Sequence, residues 1–367
     1  MDKMAEMPIR NLLLNMGAPM MISMLVQALY NVVDTFFVSH IPNTAQIADM
    51  GDKAINALTL AFPIQMLIMA LGVGTGVGIN AMIAKNLGRG NREQASRTAG
   101  NAIFVTLCYF VLIFLFGLTS VKDFIHSQTT DMVIATVYFK KGVGIKSNIR
   151  YLKPERQTLG SIYSIGLPAI VMQILTPIMS YTLNLILGAI SVSAVTAYGV
   201  YYKLQNFIFM PGYGLNNASI PIISYNYGAR NKQRVSQTVR YGLIYVSVIM
   251  LIGIALLQLF ARQIVGIFSV TEESHQLCVL ALRIITCGFF FAGANIILQG
   301  VCQALGKGIY SLVISLLRFI VLVLPMAWAL SLTENAASLV WLSLPVAEAG
   351  ACVAAILLTR KIYRKAL

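Results

Sequence analysis

Between Asn11 and Val38 an almost wholly apolar stretch carries a single carboxylate, Asp34, with Asn31 three residues and Gln27 seven residues before it. At helical spacing all three fall on one face. An acid at the centre of a membrane helix costs about 3 kcal/mol, so such groups turn toward a cavity or a partner. Low-dielectric surroundings penalise the charged form, which equips Asp34 to exchange a proton. The other acid in an apolar run is Glu348, and the preceding run carries Arg318. Glu348 is either a second proton site or the partner of Arg318. Pairing is favoured, because an arginine inside a membrane helix needs a counter-charge too. Asn184, Gln205, Asn206, Asn295 and Gln299 add carboxamides to the later runs, and Gln65 adds one to an early run. With 17 Met, 16 Tyr and 17 Phe as soft walls, such groups suit a site for varied amphipathic cations.

Other chemistries find no support. Gly72, Gly74, Gly76 and Gly78 lie inside an apolar run with no Lys-Ser/Thr after them, so they are packing or bending glycines rather than a phosphate loop. Cys108, Cys278, Cys287, Cys302 and Cys352 form no CxxC pair and are expected to be buried small hydrophobes. No metal-ligand cluster and no nucleophile triad is visible, so neither a metal cofactor nor an enzyme activity is expected.

The elements that position these residues follow from hydropathy. The chain has 367 residues, 57% hydrophobic and 11% charged, with a mean hydropathy of +0.76. Soluble domains carry about 25% charged residues, so an all-α polytopic membrane protein is expected. The net charge of +14 is confined mostly to short connections, which argues against a nucleic-acid partner and for the positive-inside rule. The segment before the first run, with Asp2 and Glu6, lacks a basic n-region, so the first helix is expected to remain in the mature protein.

Charge-poor runs long enough to span a bilayer lie at 11–38, 54–84, 98–121, 159–190, 192–228, 241–261, 277–304, 310–332 and 336–359, nine in all. Pro19, Pro63, Pro168, Pro177, Pro211, Pro221, Pro325 and Pro345 fall within them, and membrane helices tolerate proline as kinks. An internal repeat relates Met16–Pro19 to Ile165–Pro168. At one offset of 140 it relates Gln65, Gly72, Gly74, Asn86, Gly88 and Asn91 to Gln205, Gly212, Gly214, Asn226, Gly228 and Asn231. Two parallel halves built from one repeat, with a substrate site between them, are a transporter plan.

Lys85, Arg89, Arg92 and Arg97 after the second run, their counterparts Arg230, Lys232, Arg234 and Arg240, then Lys307 and the basic carboxyl end all fall on one side if both termini are cytoplasmic. Three helices that start inside should end outside, yet the most basic stretch follows them and the second half must again begin inside. The count is off by an odd number of crossings. Either the short run Met132–Phe139 crosses, which Asp131 and Lys140 make costly, or the first half lacks three helices of its six-helix plan, which the repeat favours. The chain thus divides into an incomplete N-terminal bundle (1–121), a basic cytoplasmic connection with a residual apolar piece (122–157) and a six-helix C-terminal bundle (158–367).

The run Asn31–Val38, the block Gly88–Arg97, its partner Tyr225–Arg234, and Leu298–Lys307 with Ser311–Arg318 resemble the multidrug and toxic-compound extrusion (MATE) transporters, in particular the MepA-like branch. The resemblance covers essentially the whole chain. It implies two six-helix bundles forming a V-shaped cleft, alternating access across the cytoplasmic membrane, export of small cationic drugs driven by H⁺ or Na⁺, no other cofactor, and membrane lipids as surroundings. It implies that Asp34 takes part in coupling-ion binding or protonation. The chain departs from that plan between Val121 and Lys140, where helices 4 and 5 and most of helix 6 belong. A lipid-linked substrate flippase on the same architecture and a non-transporting remnant are the alternatives.

Overall fold

The computed structural model describes residues 3–39, 50–119, 154–268 and 271–366. Among these residues the regular structure is helical, with no strand. The sequence-read connection between Lys122 and Lys153, including Met132–Phe139, lies outside the described residues.

A short helix α1 (Lys3–Glu6) precedes three long ones, α2 (Ile9–Ser39), α3 (Met50–Gly88) and α4 (Arg92–Thr119). The second half opens with α5 (Arg156–Ile190), α6 (Val192–Gly228) and α7 (Lys232–Leu259), followed by the short α8 (Ala261–Gly266). Next come α9 (Glu272–Thr286) and α10 (Phe289–Ala304), then α11 (Gly308–Leu316), a π-helical stretch Leu317–Val323 and α12 (Leu324–Ser331). The short α13 (Ala336–Leu339) leads through a 3₁₀ turn into α14 (Ser343–Ala366). Each of the nine expected runs falls on one of these rods. Among the described residues, seven are long and apolar enough to cross a membrane, and α9 with α10, bent by 49°, make an eighth. The remaining rod, α6, is 37 residues long and more polar.

Local signals set the helix starts. The side chains of Asn91, Ser191 and Asn231 accept from the backbone N–H three residues on, at 3.0, 3.0 and 3.1 Å, capping α4, α6 and α7. Pro19, Pro168, Pro177, Pro211 and Pro221 sit inside helices that continue through them. The sharp bend instead falls at Cys287–Gly288, a segment without proline. There the backbone of Pro345 in α14 lies 2.7 Å from where a Cβ on Gly288 would project. Glycine permits that approach.

The two halves meet reciprocally. A Cβ on Gly74 would lie 2.6 Å from the Ile170 backbone nitrogen, and one on its repeat mate Gly214 would lie 2.7 Å from the Met21 backbone. Nearer the loops, Gly88 abuts the carbonyl of Tyr225 and Gly228 abuts the carbonyl of Lys85. α3 therefore packs on α5 as α6 packs on α2, and α3 crosses α6. The connecting turns repeat bond for bond. Arg89, Gly90 and Asn91 donate to the carbonyls of Lys85, Leu87 and Asn86, and Ala229, Arg230 and Asn231 donate to those of Tyr225, Tyr227 and Asn226. A two-fold relation between parallel halves, with small residues at the contact, follows.

One end of the bundle is basic. It gathers the α3–α4 and α6–α7 turns, the start of α2 and the start of α5. The Arg234 guanidinium donates to the carbonyls of Met4 (2.9 Å) and Met7 (2.8 Å), tying the amino-terminal segment there. Arg97 near the start of α4 pairs with Glu155 at 3.1 Å, and the Asn101 side chain accepts from the Glu155 backbone N–H at 2.8 Å. The start of α5 thus lies beside the start of α4, while α4 ends roughly 42 Å away at 1.5 Å per residue. The end of α4 and the start of α5 lie at opposite ends of the bundle.

Candidate functional site

Asn31 and Asp34 lie in the distal part of α2, with Asp34 roughly 38 Å along the axis from Ile9 at the basic end. Their side chains, and that of Gln65 in α3, lie outside the described residues. Gln27, one turn earlier than Asn31, is half-buried. In the second half, Asn184, Gln205 and Asn206 are likewise half-buried along α5 and α6.

The polar core that the structure does describe lies inside the second half. Arg318 enters about 15 Å along its rod from Gly308. Its side chain is 4% exposed and pairs with Glu348, Nε to Oε1 at 2.6 Å and Nη2 to the same oxygen at 2.5 Å. The Asn295 amide donates to the other carboxylate oxygen at 2.9 Å and to the Glu348 carbonyl at 3.0 Å. One acid is thus shared between a guanidinium and a carboxamide. Tyr201 and Tyr213 of α6 are the further polar neighbours of Arg318, whose guanidinium also lies over the Phe319 ring at 4.6 Å. Breaking such a pair by removing one partner leaves an uncompensated charge and costs about 3–5 kcal/mol.

The π-helical stretch begins one residue before Arg318. Single-turn π segments shift the register of the side chains that follow and recur at functional sites. Here the shift accompanies the burial of Arg318 against α14.

Asn295 and Gln299, four residues apart, share a face of α10. Both are buried, at 0% and 7% exposure. The Asn295 Oδ1, the Gln299 Nε2 and the Asn216 Oδ1 on α6 are buried without a hydrogen-bond partner among the described residues. Gly300, next to Gln299, abuts the Asn216 carboxamide, so glycine makes the room that lets Asn216 reach α10. Buried donors and acceptors are paired in more than about 90% of cases, so these open atoms stand out among the described residues, as do the Tyr245 and Tyr363 hydroxyls.

Of the residues singled out from sequence, the structure brings Asn295 and Glu348 into one cluster with Arg318, and sets Gln299 one turn along α10 from Asn295. It places Asn184, Gln205 and Asn206 on other turns. Asn216, which reaches α10 beside Gly300, carried no sequence signal beyond being a carboxamide in an apolar run. The cysteines follow expectation at Cys278, Cys302 and Cys352, which are buried, and Cys108, which is half-buried, but not at Cys287, which is exposed. Cys287 lies one turn beyond the exposed Arg283, on the outward face that α9 already presents. Lys203 and Arg283 are exposed on their helices. No group of three or more His, Cys, Asp or Glu residues suited to a metal ion occurs among the described residues.

Comparison with known proteins adds a second line. The MatE family model matches residues 19–138 and 168–329, once in each half, opening at the repeated prolines. The multidrug export protein MepA of Staphylococcus aureus (strain MSSA476) is 22% identical over 432 residues, covering 96% of this chain and 93% of that protein. That alignment is longer than this 367-residue chain, so it spans positions of the relative that have no counterpart here. Among solved structures, MATE in complex with MaL6 superposes with a TM-score of 0.88 at 19% identity, covering 99% of this chain and 98% of that one. The outward-facing conformation of a multidrug resistance MATE family transporter of the MOP superfamily superposes with a TM-score of 0.87, also at 19% identity, over 99% of this chain and 98% of that one. These two likenesses establish the helical arrangement.

Proposed function

The chain belongs to the MatE family, and on that premise we propose that it is a secondary active antiporter that exports cationic or amphipathic drugs by alternating access, driven by H⁺ or Na⁺. The observation that carries this reading is the reciprocal glycine contact between the halves. Gly74 on Ile170, Gly214 on Met21, Gly88 on Tyr225 and Gly228 on Lys85 close one end with backbone against backbone. Close backbone approach through small residues suits two bodies that part and re-close. The excess of base at the closed end supports a cytoplasmic placement for it, as for an inner-membrane protein whose two termini are cytoplasmic. Asp34, toward the other end of α2, is the coupling residue in this reading, and the carboxamides Gln27, Asn31, Gln65, Gln205 and Asn206 supply cleft polarity.

The flippase reading is weakened by Arg318, because this cation, the one fully buried among the described residues, is already neutralised by Glu348. The remnant reading is weakened by α4, which is held to the start of α5 by Arg97–Glu155, by Gln94 donating to the Thr158 hydroxyl at 3.3 Å, and by a Tyr109–Tyr163 hydroxyl contact of 2.7 Å. The test is efflux of ethidium from proteoliposomes with an imposed H⁺ or Na⁺ gradient. Wild type should move the dye only with one of the gradients, and Asp34→Asn should lose that dependence. Gradient-driven efflux unchanged in Asp34→Asn removes the coupling role. A monodisperse wild type that moves no dye in either gradient removes the transport reading.

A further inference from the structure

At the closed, basic end the two repeat-related turns enclose a hollow of about 710 Å³ lined by Gly88 and Arg89 of the first half and by Tyr227–Arg230 and Lys232 of the second. Three cations reach it, and no acid among the described residues lines it. Beside it, Lys85 Nζ lies 5.3 Å from the centre of the Tyr227 ring. Lys307 approaches from the α10–α11 turn as a further charged neighbour of Lys85. Two carboxylates of this end, Glu93 and Glu155, are both committed to Arg97, at 2.9 and 3.1 Å. None of Lys85, Arg89, Arg230, Lys232 or Lys307 has an ion-pair partner among the described residues.

A general excess of base on the cytoplasmic side requires no particular geometry. This cluster has one. In the first turn the left-handed position is Gly90, with φ of 74°, the residue such a backbone prefers. The equivalent position of the second turn is Arg230, with φ of 59°, the sole non-glycine residue with positive φ among those described. A side chain there costs on the order of 1–2 kcal/mol relative to the right-handed region. The repeat supplies the glycine that would avoid the cost, yet the second half carries a guanidinium there, at the lip of the hollow.

We propose that this hollow binds a multivalent phosphate-bearing anion that bridges Arg89 of one half to Arg230 and Lys232 of the other. Its volume lies within the ordinary range for small-molecule sites. Planar guanidiniums from two sides suit the tetrahedral, multiply charged phosphoryl group. The chemistry is shared by an anionic phospholipid headgroup and by a soluble polyphosphate. A ligand held by both turns binds only while they are adjacent, so it shifts the protein toward the conformation with this end closed. That consequence rests on the alternating-access reading above; the binding itself does not.

The test uses the purified full chain in phosphatidylcholine nanodiscs, with neither drug nor ion gradient. One arm titrates pyrophosphate by calorimetry, and the other replaces part of the phosphatidylcholine with phosphatidylglycerol and reads the melting temperature. Saturable pyrophosphate binding identifies a soluble ligand, and stabilisation by phosphatidylglycerol alone identifies a lipid headgroup; either supports the site. Arg230→Gly keeps the backbone conformation while removing the cation, and should weaken the responding arm at least tenfold. Arg89→Gln/Arg230→Gly/Lys232→Gln should abolish it, and the exposed pair Arg360→Gln/Lys361→Gln should leave it intact. Gel filtration confirms that each variant is folded. No response in either arm, a triple variant that responds like wild type, or an equal loss in the Arg360/Lys361 variant overturns the proposal. All three outcomes leave the transport reading untouched, because no transport is measured.

Discussion

The carbonyl of Tyr225 occupies the space into which a side chain at Gly88 would project, and the repeat mirrors this contact through Gly228 and the carbonyl of Lys85. Closure at this end depends on two absent side chains. The same glycine-rich run also contains Gly76, where a Cβ would meet nothing within 4 Å.

Gly88→Ala and Gly228→Ala should each lower the melting temperature of the detergent-purified protein. Overpacking costs about 1–3 kcal/mol where backbone rather than a flexible side chain must give way. Gly76→Ala should be neutral or slightly stabilising, since it adds a better helix former in open space. Equal melting temperatures for all three variants would show that the contact at this end does not bear on stability.

Removing the carboxylate of Glu348 should be more costly than removing both charges. Glu348→Gln leaves Arg318 buried without a counter-charge, a loss of about 3–5 kcal/mol. Arg318→Met combined with Glu348→Gln should recover much of that stability, because the unpaired charge is gone. A double variant less stable than the single one would place the value of the cluster in its hydrogen bonds to Asn295 rather than in the ion pair.

The Glu155 carboxyl is held below the usual carboxylate range, first by the hydrogen bond from the Thr158 hydroxyl at 2.6 Å and then by Arg97. A depressed folded value means that the ionised form stabilises the fold above the unfolded carboxyl value, about 4.3, and that this contribution is lost as pH falls through the folded value. Wild type should therefore be more stable than Glu155→Gln at neutral pH, with the gap closing progressively below about pH 4. A gap that does not vary with pH would assign the difference to packing at the start of α5.

The two left-handed turn positions should respond oppositely to substitution. Gly90→Ala forces a Cβ onto a backbone with φ of 74° and should cost on the order of 1 kcal/mol. Arg230→Gly relieves the same strain and should hold or raise the melting temperature in phosphatidylcholine nanodiscs without added anion. Urea or thermal melts of both variants beside wild type decide the sign.

Much of this protein was legible in one dimension. A spanning helix must satisfy its own backbone and present an apolar surface, so nine rods can be counted from hydropathy alone. The repeat was legible because a two-fold relation between parallel halves demands the same glycines at the same places, Gly74 with Gly214 and Gly88 with Gly228. The pairing of Arg318 with Glu348 was legible because a buried charge has few ways to exist.

What the sequence could not state was which surfaces face one another. The bend at Cys287–Gly288 carries no proline; it arises where Gly288 meets the backbone of Pro345, a contact between residues far apart in the chain. The π-helical register at Arg318, the reach of Asn216 past Gly300 and the opening of a basic hollow between two turns likewise depend on neighbours brought together by folding. Composition and periodicity fix what each helix must bury. Only the packed bundle decides against what, because close packing is a property of pairs of surfaces and neither surface is written in the other's stretch of sequence.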